Sequence, residues 1–384
     1  DRNVMPYGQT VTENIMPEIA ERLAREINLD ERKKAVGEFN ASHTTLKKGI
    51  ALMPVMFGIS FNAPVLNQAG ALVHVYTDGS VHLNHGGTEM GQGLFTKVAQ
   101  VVSSVFQIDI DHVKISATRT DKVPNTGPTA ASAGSDLNGM AAFNAADEIR
   151  HRMAGVVAEH FNVPDDEIEF RQNRVYAGNE SLSFAEAADK TWLERVSLSA
   201  TGYYKTPDIH WDAETMTGSP FYYFTYGASV SEVVIDTLTG ESRVLTTDIL
   251  QDVGSSLNPS IDLGQIEGAF VQGMGWVTSE ELVWDPKGRL MTHGPSTYKI
   301  PGSRDVPPHF KVHILEDVPN PVPTIYRSKA VGEPPVMLAI SVWLALRDAV
   351  SRTGDPRLMP KLDAPATPEA ILVALEDLKQ RSAV

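Results

Sequence analysis

The residue best suited to chemistry in this chain is Glu333, in the segment Arg327–Pro335. The segment reads Arg-Ser-Lys-Ala-Val-Gly-Glu-Pro-Pro and precedes an apolar helical pattern that runs from Val336 to Val350. Prolines suit the first turn of a helix, because the amide hydrogens that they lack would have no partner there. The pattern therefore predicts that Glu333 stands at the start of a helix, where a carboxylate can act as a general base. The alternative is an ordinary acidic residue that complements the helix dipole.

Three loops of small or hydroxyl-bearing residues each run into a predicted helix. They are His85–Leu94, which holds four glycines, Pro124–Asp136 and Asp252–Asp262. Glycine lets the backbone come close to an anionic group, and the N-terminus of a helix favours negative charge. The first loop matches neither a dinucleotide-binding motif nor a P-loop, and a plain tight turn is the alternative. Repeated loops of this kind predict a ligand with several phosphate-like or polar groups.

The loops stand between segments whose patterns predict an α+β fold. Strands are predicted at 47–61, 71–76, 81–84, 112–118, 221–236, 241–252 and 310–315. Helices are predicted within 11–39 and at 95–106, 138–149, 263–276, 336–350 and from residue 367. This order predicts mixed and antiparallel sheets with packed helices.

Some segments carry more specific predictions. Asp78–Gly79 predicts a hairpin turn, and a second hairpin is predicted at 281–292. The aromatic run from residue 221 is assigned to the core, and the acidic stretch 163–191 to a surface excursion. His74 and His82 are assigned to strand faces rather than to a metal, because no further ligand stands at a suitable spacing. We expect their role to be structural.

Composition excludes several classes of function. A chain of 384 residues can bury a large core and should hold more than one subdomain. Its 33 basic and 48 acidic residues give a net charge of −15, which argues against a nucleic-acid or acidic-membrane partner. With no cysteine, this chain has no disulfide, thiolate nucleophile or iron–sulfur ligand of its own. No apolar run approaches the length that a membrane span needs, about 18 residues, and we expect a cytoplasmic protein.

Four motifs, in this order, resemble those of the molybdenum hydroxylases. They lie at 87–94, 124–132, 252–259 and 329–335, and further stretches at 57–61, 66–71 and 294–301 resemble the xanthine dehydrogenase branch of that family. The resemblance covers nearly the whole chain from about residue 47. It implies a molybdopterin-binding domain at 47–384, in two α+β subdomains at about 47–218 and 219–384. Residues 1–46 would be a helical lead-in that continues an upstream domain.

The resemblance also implies roles for individual residues. Molybdenum would be held through the dithiolene of its pterin, with no protein ligand. The residues that would bind the cofactor are Gly91, Gln92, Thr129, Ala131, Ser132 and Gln265. Those that would meet the substrate are Phe57, Phe61, Asn62, Leu66 and Ala131, with Phe61 packing edge-on against a purine. Glu333 would be the general base in the hydroxylation of hypoxanthine and xanthine to urate, with oxygen derived from water.

The same resemblance implies partners that this chain does not contain. Electrons would pass through 2Fe-2S clusters to FAD on other domains or subunits, with NAD as the final acceptor. Two family segments, Gly-Gly-Phe-Gly-Gly-Lys-Glu and Phe-Arg-Gly-Phe-Gly-Gly-Pro, do not occur here and would lie before residue 1. The chain begins without an initiator Met or a signal-peptide core. We therefore expect the C-terminal part of a molybdenum subunit, incomplete as an enzyme alone and acting in a dimer of complexes.

Three positions depart from the pattern of the family. Asn62 stands where close relatives would have Thr, Gly127 where they would have Ser, and Phe95 where they would have His. Asn62 bears on fine contacts with the substrate. An aldehyde or other N-heterocycle hydroxylase of the same family is an alternative, and the family segment that supplies a purine-binding Glu and Arg would decide between the two. A non-catalytic remnant that binds the cofactor or serves as a structural partner is a further alternative. The presence of Glu333 argues against that remnant, because a scaffold does not need a general base.

Overall fold

The computed structural model describes residues 3–119, 121–122 and 126–383. The helices are α1 (Met16–Glu26), α2 (Leu29–Ser42), α3 (Leu94–Phe106), α4 (Gly134–Phe161), α5 (Phe184–Leu193), α6 (Pro259–Thr278), α7 (Pro334–Leu338), α8 (Ile340–Ser351) and α9 (Pro368–Ser382). The strands are β1 (Leu46–Ile59), β2 (Gln68–Val75), β3 (Val81–His85), β4 (Val113–Ile115), β5 (Ile168–Arg171), β6 (Arg174–Ala177), β7 (Glu180–Ser183), β8 (Ser199–Lys205), β9 (His210–Asp212), β10 (Thr217–Ser219), β11 (Tyr223–Asp236), β12 (Ser242–Gln251) and β13 (His309–Ile314). The α+β prediction is confirmed.

One four-stranded sheet has the order β1-β11-β12-β13, in which β12 and β13 are parallel and the other neighbours antiparallel. Alternate residues of β11 enter different cores, because successive side chains of a strand point to opposite faces. Tyr226 and Val230 pack with α1, whereas Val233 and Ile235 pack with α8 and α9. The aromatic run from residue 221 contributes Tyr223, Phe224 and Tyr226 to the buried set, which confirms its assignment to the core.

A second four-stranded sheet has the order β4-β3-β2-β8 and is covered by α3 and α4. The predicted hairpin between β2 and β3 is confirmed, with Gly79 at φ +81° in its turn. The buried alanines of α4 let that helix lie directly on β8, where a Cβ at Gly202 would stand 1.9 Å from the carbonyl oxygen of Ala141. The start of α4, which follows the second small-residue loop, lies beside the first loop, where a Cβ at Gly87 would stand 2.7 Å from Asn138 Nδ2.

Residues 163–191 are not the surface excursion that their acidic composition predicted. They form the three-stranded sheet β5-β6-β7 and helix α5, and Phe170, Val175 and Phe184 are buried in the core under the second sheet. The prediction was wrong because in β5 the charged Glu169 and Arg171 alternate with the buried Ile168 and Phe170, so this strand has one charged and one buried face. A capping box at Ser183 and Glu186 then starts α5.

Several predicted elements exist with different limits. The strand predicted at 112–118 is β4 alone, α4 runs well past residue 149, and the hairpin at 281–292 is reduced to a bridge between Trp284 and Leu290. The charged run at 150–152 hides the apolar spacing that continues α4 through Met153 and Val157. The lead-in at 11–39 forms the expected helix pair, α1 and α2. These differences change lengths rather than the order of elements.

The helix predicted at 336–350 is divided into α7 and α8 at Ala339. Ser229 of β11 donates a hydrogen bond of 2.7 Å to the carbonyl oxygen of Leu338 at the break. The stretch Pro334–Ser351 reaches the length and mean hydropathy of a membrane span, contrary to the sequence-based expectation, and 56% of it is buried in the fold. It packs on β1 and β11, so burial in the core accounts for its apolar character.

Gly49 permits the close packing of α8 on β1, because a Cβ there would stand 2.0 Å from the carbonyl oxygen of Ala345. Gly49→Ala is therefore expected to lower the free energy of unfolding by about 1–3 kcal/mol, measured by chemical or thermal denaturation. Gly37→Ala is the control, because a Cβ at that position in α2 would meet no atom within 4 Å. The control is expected to stabilise by about 0.5–1 kcal/mol, since alanine favours helix. Equal effects of the two substitutions would contradict the packing argument.

Candidate active site

A cavity of about 310 Å³ lies where the three small-residue loops meet the segment that carries Glu333. Five residues predicted to form the site line it together: Gln92, Thr129, Ser132, Gln265 and Glu333. They come from parts of the chain that are far apart in sequence, and the packing of α3, α4, α6 and α7 brings them together. Two further predicted residues, Gly91 and Ala131, are not among the described residues that line the cavity. Each is a direct neighbour in sequence of residues that do line it.

The first loop is organised around the carboxylate of Glu89. This carboxylate accepts backbone N–H groups from Gly91 at 2.8 Å, Gly93 at 3.1 Å and Phe95 at 2.9 Å. Burial raises the pKa of Glu89, but these donors outweigh it and hold the pKa below its usual value. Gly93 lies at φ +77°, a conformation that favours glycine, immediately before α3 begins. Sequence analysis missed Glu89, because it stands five residues before α3 begins and no local capping motif marks it.

The side-chain amide of Gln92 closes the same loop. Its Oε1 accepts the N–H of Met90 at 2.6 Å, and its Nε2 donates to the carbonyl oxygen of Thr88 at 2.8 Å. The N–H of Thr88 in turn donates to Oγ1 of Thr129 at 2.8 Å. That contact joins the first loop to the second, so Gln92 and Thr129 are held on adjacent walls of the cavity.

The second loop turns through two consecutive residues in the left-handed region, Ala131 and Ser132, both at φ +55°. This conformation is unusual for residues with a side chain, and functional sites are where such strain collects. It directs the hydroxyl of Ser132 towards Glu333. Pro124 and Asn125, which belong to the predicted motif, lie outside the described residues.

Glu333 stands immediately before α7, with Pro334 and Pro335 in the first helical positions, as predicted. Ser132 Oγ donates to Glu333 Oε2 at 2.9 Å and accepts the backbone N–H of Glu333 at 2.8 Å. The side chain of Glu333 is otherwise exposed at the cavity. The hydroxyl thus fixes one carboxylate oxygen and leaves the other free to accept a proton.

Two buried ion pairs reach the cavity through their lysines. Lys329 Nζ donates to Asp252 Oδ2 at 2.6 Å, and both side chains are almost completely buried. Lys97 of α3 pairs with Asp262 of α6, and both residues line the cavity. Burial raises the pKa of Asp252, and Lys329 opposes this effect. The pairs tie the third loop to α3 and to the segment Arg327–Pro335. Sequence patterns had no signal for Lys97.

A further buried acid, Asp136, lies in the first turn of α4 and lines the cavity. Burial raises its pKa to about 7, against the opposing effects of a hydrogen bond from Tyr223 and the charge of Lys97. Tyr223 Oη donates to Asp136 Oδ2 at 2.7 Å. Near neutral pH this carboxyl is therefore partly protonated inside the fold. No sequence pattern singled it out.

The residues predicted to meet the substrate are placed differently from those predicted to hold the cofactor. Within the described chain, Phe57, Phe61, Asn62 and Leu66 are outside the cavity lining. Phe57 packs against two hydrophobic cores, and Asn62 is exposed. Their roles stay predictions.

Phe61 and Leu66 flank a loop that is held by the buried side chain of Asn67. Asn67 Oδ1 accepts the N–H of Phe61 at 2.8 Å, and its Nδ2 donates to the carbonyl oxygen of Phe61 at 2.9 Å. A Cβ at Gly127 would stand 2.0 Å from the carbonyl oxygen of Leu66. The absence of a side chain at Gly127, one of the departures from the family pattern, thus lets the second loop approach the Phe61 loop.

Comparison with known families identifies the family of this chain. The family model described as molybdopterin cofactor-binding domain matches residues 22–307 of the chain. The chain belongs to the molybdopterin cofactor-binding domain family.

Curated relatives of this molybdopterin cofactor-binding domain confirm the predicted resemblance to xanthine dehydrogenase. The chain is 50% identical over 352 residues to xanthine dehydrogenase/oxidase of Felis catus, which covers 90% of this chain and 25% of that protein. It is 46% identical over 383 residues to xanthine dehydrogenase of Dictyostelium discoideum, covering 98% of this chain and 27% of the relative. The chain therefore spans about a quarter of the length of these relatives.

Solved structures share the fold of the domain at low sequence identity. Quinoline 2-oxidoreductase from Pseudomonas putida 86 superimposes with a TM-score of 0.84 at 22% identity, over 98% of this chain and 47% of that one. The Cu,Mo-CO dehydrogenase gives 0.83 at 20% identity, again over 98% of this chain and 47% of the other. These likenesses establish the architecture alone.

The cavity of this molybdopterin cofactor-binding domain suits a ligand of the expected kind. Its volume falls in the range of small-molecule sites, about 300–1,000 Å³. Its walls carry the hydroxyls of Thr129, Ser132 and Ser135 at the N-terminal end of α4, and hydroxyl donors at a helix N-terminus complement a polar, phosphate-bearing cofactor. The residues present thus fit the cofactor class that the sequence predicted.

Proposed function

We propose that this chain is the C-terminal part of the molybdenum-cofactor subunit of a xanthine dehydrogenase. The observation that carries the proposal is Glu333 at the cavity wall, fixed through one carboxylate oxygen by Ser132. The similarity to xanthine dehydrogenases over 90% or more of the chain supports the choice of reaction. Hydroxylation of xanthine to urate replaces a C–H bond by C–OH, takes its oxygen from water and releases two electrons and two protons.

We assign cofactor binding to residues of the first two loops and of α6. The residues are Gly91, Gln92, Thr129, Ala131, Ser132 and Gln265. When bound, the molybdenum–molybdopterin cofactor supplies the oxygen-transfer and two-electron redox chemistry. The contacts of Glu89 and Gln92 within the first loop support the assignment, because they fix the backbone of Gly91 before a ligand arrives. A backbone that is already ordered avoids part of the ordering cost of binding.

Glu333 acts in this proposal as the general base. Its fixed oxygen remains hydrogen-bonded to Ser132, while the other oxygen takes a proton from the attacking water-derived group. A carboxylate whose orientation is set before the reaction loses little entropy in reaching the transition state. The exposure of Glu333 at the cavity gives the proton a route to solvent once turnover is complete.

We assign the substrate contacts to residues beside the second loop. They are Phe57, Phe61, Asn62, Leu66 and Ala131. The approach of Leu66 to Gly127 supports this assignment, because it puts the Phe61 loop next to the loop that carries Ala131 and Ser132. In this arrangement Phe61 packs edge-on against the purine.

The wider assembly is part of the same proposal. The chain would work with the remaining N-terminal part of the molybdenum subunit and with a 2Fe-2S/FAD subunit, in a dimer of complexes that reduces NAD in the cytoplasm. The length of the curated relatives supports further domains.

The division of this chain into subdomains at about 47–218 and 219–384, after a lead-in at 1–46, also stays a proposal. β1 crosses that division to pair with β11 along its whole length.

The direct test is to purify the whole protein that carries this chain and to measure its molybdenum and pterin content and its turnover of xanthine. We expect molybdenum and pterin in equal amounts, and ¹⁸O from labelled water in the urate. Preferred turnover of an aldehyde or of a non-purine heterocycle would replace the assigned substrate. A protein that holds the cofactor and turns over none of these compounds would contradict the catalytic role.

A further inference from the structure

Ala330, three residues before Glu333, is attached to a buried pair of polar side chains. Its backbone N–H donates to Tyr223 Oη at 2.9 Å, and Tyr223 Oη donates to Asp136 Oδ2 at 2.7 Å. Ala330, Tyr223 and Asp136 are all buried. A hydroxyl in this position serves as both acceptor and donor, so each of the three groups depends on the other two.

Asp136, the last group in this series of hydrogen bonds, lies at the start of α4, close in sequence to the serine that holds Glu333. Ser132 stands two residues before α4 begins, and Asp136 lies in the first turn of that helix. Ser132 contacts both the backbone N–H and the carboxylate of Glu333. The segment 330–333 is thus fastened to the start of α4 at both ends, through Tyr223 at Ala330 and through Ser132 at Glu333.

We propose that Tyr223 and Asp136 form a positioning pair that sets the placement of the Glu333 carboxylate. The inference rests on the proposed function of Glu333 and extends it to two residues that do not touch the reacting atoms. Without Tyr223 Oη, the N–H of Ala330 loses its buried acceptor and the peptide can turn to find another. That movement is transmitted over three residues to Glu333. A displacement of about 1 Å at a catalytic group can lower a rate by about 100-fold.

The surroundings of Asp136 explain why an acidic side chain can serve here without a direct cationic partner. Lys97 and Asp262 face the cavity from α3 and α6, Lys329 faces it from the Glu333 segment, and each lysine is paired with another carboxylate. Burial raises the pKa of Asp136 to about 7. Both protonation states retain an oxygen that accepts from Tyr223, so an uncharged amide should replace the carboxyl.

The test uses Tyr223→Phe, Asp136→Asn and Asp136→Ala in the whole enzyme that contains this chain. Two readouts are taken: kcat and KM for xanthine at equal molybdenum content, and hydrogen exchange of the backbone amides at 328–333 by mass spectrometry. We expect Tyr223→Phe and Asp136→Ala to lower kcat by about 10–100-fold, with KM within about threefold, and to speed exchange in that segment. Asp136→Asn should retain most of the activity and protection, because its amide oxygen still accepts from Tyr223.

Tyr226→Phe is the matched control. Tyr226 lies on the same strand, is buried, and donates from its hydroxyl to the carbonyl oxygen of Glu13. Lys329 Nζ lies 5.5 Å from the centre of the Tyr226 ring, and phenylalanine retains that ring, so the substitution removes only the hydroxyl contact with Glu13. This substitution should change neither kcat nor the rate of amide exchange at 328–333. If Tyr223→Phe kept the wild-type kcat and the wild-type exchange rates, the proposed positioning role would be overturned. A variant that lost molybdenum but kept the wild-type kcat per molybdenum would overturn it as well. An inactive but molybdenum-loaded wild-type enzyme would instead contradict the proposed function.

Discussion

Glu333→Gln is expected to lower kcat for xanthine hydroxylation by about 10²–10⁴-fold in the whole enzyme, with molybdenum content unchanged. The amide is nearly isosteric and can still accept the hydrogen bond from Ser132 Oγ, so the local structure should be retained. It cannot take up a proton at neutral pH, which removes the proposed base. Steady-state kinetics on enzyme of matched molybdenum content would measure the effect.

The control for this prediction is Glu267→Gln, an exposed glutamate on α6, the helix that also carries Gln265. It changes the net charge by the same amount without touching the cavity, and activity should stay within about twofold because surface substitutions are usually mild. If Glu333→Gln kept more than about a tenth of wild-type kcat, a proton acceptor other than Glu333 would have to be sought.

Lys329→Met should cause the largest loss of stability among the substitutions considered. The Lys329 side chain is 2% exposed and that of Asp252 is 0% exposed, with 2.6 Å between Nζ and Oδ2. Removing one partner of a buried ion pair leaves an unpaired charge inside the protein, which costs about 3–5 kcal/mol. The expected result is a clearly lower thermal transition for the part of the enzyme that contains this chain.

Lys361→Met is the matched control for Lys329→Met. Lys361 pairs with Asp377 at 3.3 Å, but its side chain is 72% exposed. Exposed pairs contribute about 0–1 kcal/mol, so the transition should hardly move. Equal shifts for both variants would mean that the burial of the Lys329–Asp252 pair has no energetic consequence.

Local sequence patterns were sufficient for much of the fold. The turn at Asp78–Gly79, the long strands β1 and β11 and the helix start after Glu333 follow from spacing over a few residues. Such signals are strong because the backbone conformations that they require belong to glycine, proline or alternating apolar residues. The prediction for 163–191 was wrong because an acidic composition outweighed a pattern of alternation that short strands show only weakly.

The sequence by itself determined which residue types stand in the three loops and at Glu333, and through its motifs which family the chain belongs to. Only the tertiary structure decided that Gln92, Thr129, Gln265 and Glu333 share one cavity, since their contacts depend on helix packing between distant segments. It alone revealed the Tyr223–Asp136 pair and the Lys97–Asp262 pair. Such buried polar contacts are set by burial and by the direction of side chains in three dimensions, neither of which a local pattern records.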